Sequence, residues 1–362
     1  MSHLLVDISS HGYGHVSQTS AVVNELVRLM PGLRVTVRTT APYELLKQRF
    51  QCDFQHIPVA FDFGMKMANA VDVQVAESAA AYREFHADWR QKVEREARIM
   101  RQLKPDLLLA NVPYLSLAAA HAAEVHAVGM CSLNWADIYQ HYCADDASSQ
   151  TIHQQMLEAY LSAEFFLKLQ PAMEMPDFTN ARSIQPIARI GQAQRLLVAT
   201  QCSVHEEGKR DGEKLVLVAM GGMEFRLPVQ NWPHLPGVRW IVPQAWGIRR
   251  NDTTAFESLH LAFADVLASC DAVITKPGYG TFTEAACAGV PVLYVTRRDW
   301  PEEPCLVQWL QQNAACMEVG RGALRAGELG NVLKQLWALP LPPIPDATGA
   351  VEAAQFLKTT FF

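Results

Sequence analysis

The sequence predicts an α/β protein built as two parallel-sheet domains, and three observations carry that expectation. Short apolar or β-branched runs alternate with helical patterns in both halves of the chain. Each half opens on an apolar run that ends in a glycine loop: Leu4 to Ile8 before Gly12 and Gly14, and Lys214 to Ala219 before Gly221 and Gly222. The length, 362 residues, suits two domains, and 49% apolar against 19% charged residues is enough to bury a core in each.

Taken in order, Leu4 to Ile8 reads as the first strand and Ser9 to His15 (SSHGYGH) as its loop. A helical pattern runs through Ala21, Val22, Val23, Leu26, Val27 and Met30, and Pro31-Gly32 ends it. Arg34 to Thr39 alternates and is β-branched, a second strand. The glycine loop therefore lies at the carboxyl end of a strand, the edge where open α/β sheets bind ligands. A long charged helix is expected over 78–104, a strand over Leu107 to Ala110 broken by Asn111-Val112-Pro113, and an Ala-rich helix to about Val125. Val128 to Leu133 reads as a strand and 137–180 as mostly helical, while the polar segment 203–213 reads as a solvated connection. In the second half, strands are expected at Lys214 to Ala219, Val238 to Val242, Asp271 to Thr275 and Val292 to Thr296. Helices are expected over Phe256 to Ser269, Phe282 to Ala288 and roughly 347–359. The domain bounds that follow are 1–195, 196–345 and a terminal helical segment 346–362.

Composition narrows the function. The net charge of −6 argues against a duplex nucleic-acid partner. Eight cysteines form no CxxC pair, so no zinc or thioredoxin-like motif is indicated, and their apolar settings suit small core residues in a reducing cytoplasm. The N-terminal residues MSHLLVDISSHG do not resemble a signal peptide, and no apolar run is long enough for a membrane span, which leaves peripheral contact open. There is no GxxxxGK[ST], GxSxG, DxD, HExxH or EF-hand pattern, so no bound metal or other cofactor is expected.

The glycine loops carry the chemistry. Gly12-x-Gly14-x-x-Ser17 lacks the third glycine of a dinucleotide site, and the second strand ends in Thr39-Thr40 rather than an acidic residue, which argues against NAD. Two histidines, His11 and His15, flank the loop, and imidazole suits a general base near neutral pH. The later loop combines Lys276, Pro277, Gly278, Gly280 and Thr281 with Glu284 in the following helix. Amides at that helix start suit a diphosphate, and Glu284 suits ribose hydroxyls. Thr281 and Glu284 equally match a capping box. Gly221-Gly222 offers another close approach, and Arg297-Arg298 with Glu302 and Glu303 brings mixed charge to the same edge. Phe61, Phe63, Met65, Met67, Tyr82, Phe85 and Trp89 suit either an acceptor wall or core.

DAVITKPGYGTFTEAACAGVPVLYV, with the N-terminal GYGH, resembles nucleotide-sugar glycosyltransferases of the GT-B fold, the group of the UDP-glycosyltransferases and the lipid II synthase MurG. SHGYGH, NWADIY, KPGYGTFTEA and RRDWPEEP together are similar to the glycosyltransferase-like N-terminal region of L-arabinokinases, although no PxxxGxxSS kinase loop occurs. The resemblance implies two Rossmann-like domains facing a cleft and a last helix that returns to the first domain. It implies an inverting transfer from a UDP- or dTDP-sugar to an unidentified acceptor, without metal, with His15 as base. The donor would meet Gly14, Gly221, Gly222, Gln244, Lys276, Gly278, Gly280, Thr281, Glu284, Arg298, Glu302 and Glu303. Many relatives orient the histidine with an aspartate where this chain has Asn111, so either Asp137 takes that role or base catalysis is weaker. A non-hydrolysing epimerase and a non-catalytic nucleotide-sugar sensor are the alternatives.

Overall fold

A computed structural model describes residues 2–69, 72–202, 212–221, 226–297 and 299–362. They form two compact units. The first comprises Met1–Ile187, Trp300–Glu302 and Thr348–Phe362; the second comprises Ala188–Asp299 and Glu303–Ala347.

The first unit is a seven-stranded parallel sheet of β1 (His3–Ile8), β2 (Arg34–Arg38), β3 (Gln55–Ile57), β4 (Leu107–Asn111), β5 (Ala127–Cys131), β6 (Phe165–Leu169) and β7 (Ala181–Ile184). Their spatial order is β3-β2-β1-β4-β5-β6-β7. The order reverses between β1 and β4, the switch point at which open sheets leave a crevice. There Ile8 pairs with Asn111, and the Ser9 amide donates to the Asn111 carbonyl at 2.7 Å. Strands buried on both faces read as continuous apolar runs, and β1, β4 and β5 are buried at every position. Helix Gly14–Leu29 buries Val22, Val23 and Leu26 completely, each worth about 1.5–3 kcal/mol as an upper bound.

Helix Gly349–Phe361 packs on helix Gly14–Leu29 and on β7. Gly349 is required there, because a Cβ would stand 1.9 Å from the Gln185 carbonyl oxygen. Glu352 accepts from the Gln185 amide at 3.0 Å, Lys358 donates to the Leu29 carbonyl at 3.1 Å, and Arg182 lies over the Phe356 ring.

The second unit repeats the plan with β8 (Lys214–Ala219), β9 (Val238–Val242), β10 (Thr253–Ala255), β11 (Ala272–Thr275), β12 (Val292–Tyr294) and β13 (Cys316–Glu318), ordered β10-β9-β8-β11-β12-β13. Val216, Val218, Trp240, Ile274 and Leu293 share one buried cluster with Trp232, Leu333 and Leu336. Among the described residues no helix is long and apolar enough to cross a membrane.

Several elements differ from the sequence reading. The segment 137–180 holds helices Trp135–Cys143 and Ser149–Leu161 and then β6, with edge strand β7 beginning at Ala181. Both strands depend on pairing: β6 is a short apolar run without alternation, and β7 is exposed at three of its four positions. The long charged helix is two, Val75–His86 and Trp89–Leu103, and the break lets Trp89 stack on His86 at 4.9 Å. The first unit ends at Ile187 rather than residue 195. Residues 188–195 pack in the second unit, where the Gln192 amide donates to Asp265 at 2.8 Å and Arg195 pairs with Asp271 at 2.7 Å. The expected solvated connection at 203–211 lies outside the described residues.

Candidate functional site

In the first unit the site grows from the β1/β4 switch point. Gly12 takes φ +85°, a left-handed turn that lets the chain leave β1 and enter helix Gly14–Leu29. His15 falls in the first turn of that helix and is buried. Its Nδ1 lies 2.9 Å from Asn111 Oδ1 at the end of β4. Burial drives the His15 pKa down to about 4, against a smaller upward pull from the Asn111 hydrogen bond. The imidazole is therefore neutral at pH 7, with Nδ1 engaged by Asn111.

Asn111 Nδ2 continues to Gln18 Oε1 at 3.0 Å, Gln18 Nε2 to Ser132 Oγ at 3.3 Å, and Ser132 Oγ to Glu302 Oε1 at 2.7 Å. Trp300 Nε1 donates to the other Glu302 oxygen at 3.2 Å. Cys131 Sγ also reaches Gln18 Oε1 at 3.6 Å, with its thiol pushed up to about 12 by burial. On the other side of the loop, buried Asp62 accepts from Ser9 Oγ and from Trp135 Nε1, both at 2.8 Å. Burial raises its pKa to about 6. His11 meets Trp135 edge-on at 5.0 Å and stacks on Trp300 at 6.2 Å.

The second unit has its own switch point, between β8 and β11. Gly221 follows β8 with φ +87°, and a Cβ there would stand 3.3 Å from Lys276 Cε. After β11 the helix runs Tyr279–Cys287 with Gly278 as N-cap, a turn earlier than the sequence suggests. Its first intrahelical bond is from the Phe282 amide to the Gly278 carbonyl, 3.1 Å. The amides without an intrahelical acceptor include those of Gly280 and Thr281, but not that of residue 282. No side chain caps this helix, so the Thr281–Glu284 capping box does not form. Thr281 and Glu284 lie inside the helix, half-buried. A Cβ on Gly280 would meet nothing within 4 Å, and its φ is not left-handed. Neither packing nor backbone strain in this unit asks for glycine at that position.

Comparison with known proteins agrees with this geometry. No family model matches the chain. L-arabinokinase from Arabidopsis thaliana is 26% identical over 359 residues, 98% of this chain but only 34% of that protein, so the chain spans about a third of that curated relative. The crystal structure of the glycotransferase of kitacinnamycin is similar at TM-score 0.61 and 16% identity, covering 99% of both chains. Arabidopsis thaliana UGT89C1 complexed with UDP is similar at TM-score 0.58 and 14% identity, covering 98% of this chain and 94% of that one. The chain has the GT-B glycosyltransferase fold. A UDP-N-acetylglucosamine 2-epimerase is similar at TM-score 0.56 and 14% identity, over 99% of this chain and 96% of that one.

Within the GT-B frame, several expected site residues stand elsewhere. Asp137 does not support His15. Its carboxylate and amide both bond Asn134, at 2.8 Å each, closing the start of helix Trp135–Cys143. Glu302 is not part of the second unit but is buried in the first, on Ser132 and Trp300. Glu303 accepts from the Arg297 amide at 2.8 Å and is half-committed to that loop, its carboxyl raised by burial. Gln244 is exposed, and its amide already donates to Glu257 at 2.7 Å. Gly14 is exposed beside open space. Gly222 and Arg298 lie outside the described residues. The aromatic segment packs on itself, with Phe63 on Tyr82 at 4.6 Å and Tyr82 on Tyr139 at 4.7 Å; Phe61, Met65 and Tyr82 are buried, and Phe63, Met67, Phe85 and Trp89 are half-buried. Sequence reasoning missed Gln18, Ser132 and Asp62. Gln18 had a signal, since it lies one turn after His15 on the same helix face; Asp62 had none.

Proposed function

We propose that this chain is an inverting, metal-independent glycosyltransferase that moves a sugar from a UDP- or dTDP-sugar to an acceptor hydroxyl. The observation that carries the reading is His15, a buried neutral imidazole anchored through Nδ1 at the switch point of the first sheet. In the proposed step the acceptor hydroxyl gives its proton to Nε2 as its oxygen attacks the anomeric carbon. The bond from that carbon to the diphosphate breaks with inversion, and the nucleoside diphosphate leaves. The Gly280 and Thr281 amides and Lys276 offer positive charge for the leaving group. The free cysteines suit a cytoplasmic protein.

Asn111 favours a second reading, a nucleotide-sugar-binding regulator, because a neutral amide orients an imidazole without stabilising the imidazolium by charge. Incubation with a panel of nucleotide sugars and acceptors, following free nucleoside diphosphate and isomerised sugar, separates the readings. Acceptor-dependent release that persists in EDTA supports the proposal. Release that returns only with Mg²⁺ or Mn²⁺ defeats the metal-independent step. Isomer without an acceptor means an epimerase, and binding without turnover means the regulator.

A further inference from the structure

The polar chain that starts at His15 runs in one direction. Glu302 uses both carboxylate oxygens as acceptors, one for Ser132 Oγ at 2.7 Å and one for Trp300 Nε1 at 3.2 Å. The Ser132 hydroxyl donates to Glu302 Oε1 and so has its oxygen lone pairs left for Gln18. Gln18 must then present Nε2 to Ser132, at 3.3 Å, and Oε1 to its other neighbours. Asn111 Nδ2 at 3.0 Å is a donor, and the Cys131 thiol at 3.6 Å donates its one proton to the same oxygen, which leaves its sulfur, 3.6 Å from His15 Nδ1, as an acceptor there. With Nδ2 spent on Gln18, Asn111 turns Oδ1 to His15, and an amide oxygen requires the imidazole proton to be on Nδ1. Every member is nearly or fully buried, so no bulk water offers an alternative partner. An isolated asparagine could take either orientation on a histidine; this one has its orientation dictated three residues away.

We infer that Glu302 is a positioning residue for His15, setting its tautomer through Ser132, Gln18 and Asn111. On the transferase reading, on which the kinetic part of this inference rests, Glu302 does at a distance what a carboxylate in direct contact would do: it keeps Nε2 unprotonated and aimed at the acceptor. The residue is recruited from the sequence of the second half but is buried in the first unit. Its substitution is therefore read out at a histidine four hydrogen bonds away along the chain.

Nitrogen-15 NMR of the His15 ring, read with and without Glu302→Gln, tests this. A glutamine keeps the size but adds a donor, so the chain can reverse. The wild type is expected to show one tautomer, protonated on Nδ1. Glu302→Gln and, independently, Ser132→Ala are expected to bring in the Nε2-protonated form while keeping a cooperative melt. Acceptor-dependent nucleoside diphosphate release should fall by about ten- to a hundredfold in kcat with the donor KM unchanged, as for other supports of a functional histidine. Ser132→Ala keeps the test open if the glutamine variant does not fold. A mixed or Nε2-protonated His15 in the wild type overturns the inference, as does a ring unchanged in both folded variants. A tautomer that follows Glu302 in a protein with no transferase activity supports the positioning role and sinks the transferase reading instead.

Discussion

The two switch points of this molecule are built in opposite ways. In the first sheet, His15 is enclosed, and its Nδ1 and the four polar residues beyond it are hydrogen-bonded in series. In the second sheet, the helix start at Gly278–Thr281 has no side-chain cap, and there is open space over Gly280. On the proposed function, the difference is one between a group whose protonation is controlled and a surface that a ligand approaches closely. A buried imidazole held through Nδ1 has its tautomer and charge set by the fold. A bare helix start keeps its amides for an anion.

The largest effect expected from breaking this contrast is at the enclosed end. His15→Ala should lower acceptor-dependent turnover by about 10² to 10⁴ with donor affinity nearly unchanged, measured by release kinetics and by calorimetric titration of the nucleoside diphosphate. A comparable loss of donor affinity would mean that His15 belongs to the donor site.

Enclosure also has a thermodynamic signature. His15 has a folded-state pKa of about 4 against an ordinary 6.5, so as pH falls below about 6.5 the unfolded chain takes up a proton that the folded chain refuses. Stability therefore drops between about pH 6.5 and pH 4, and this contribution is flat below. His15→Gln should make that drop smaller by about 3 kcal/mol, at 1.36 kcal/mol for each pH unit of the window. His86, also held near 4, drives the same trend in both proteins, and Asp62, raised to about 6, opposes it in both. Urea unfolding at several pH values checks the difference; equal slopes would contradict a neutral, buried His15.

At the open end, Glu284→Ala should weaken nucleoside diphosphate binding by about ten- to a hundredfold, the worth of a charged hydrogen bond. Stability should fall less than affinity, because Glu284 takes no part in a capping box. Loss of stability at constant affinity would end its assignment to the donor.

Gly280→Ala gives the smallest and sharpest contrast. Its methyl group meets nothing in the protein, so the helix should gain up to about 1 kcal/mol while nucleotide affinity falls about tenfold. Thermal shift and titration on the same sample read the two signs, and equal affinity would remove the close-approach argument for this glycine.

Much of this was legible in the sequence. Periodicity and glycine loops located four second-half strands and the first two strands of the chain, because buried parallel strands are short apolar runs and the loops after them need unusual backbone. Local patterns also brought out His15 and the helix that carries Gly280 and Glu284. They did not reveal β6 and β7, whose identity depends on neighbours.

By itself, then, the sequence determined the two-sheet α/β plan and the residue types at both switch points, since these follow from spacings of a few residues. Only the tertiary structure decided which groups surround His15. The partner is Asn111 rather than Asp137, because the parallel register brings the end of β4 beside the end of β1. The chain of hydrogen bonds then closes on Glu302, which is 170 positions from Ser132, and no local pattern records a contact across such a distance.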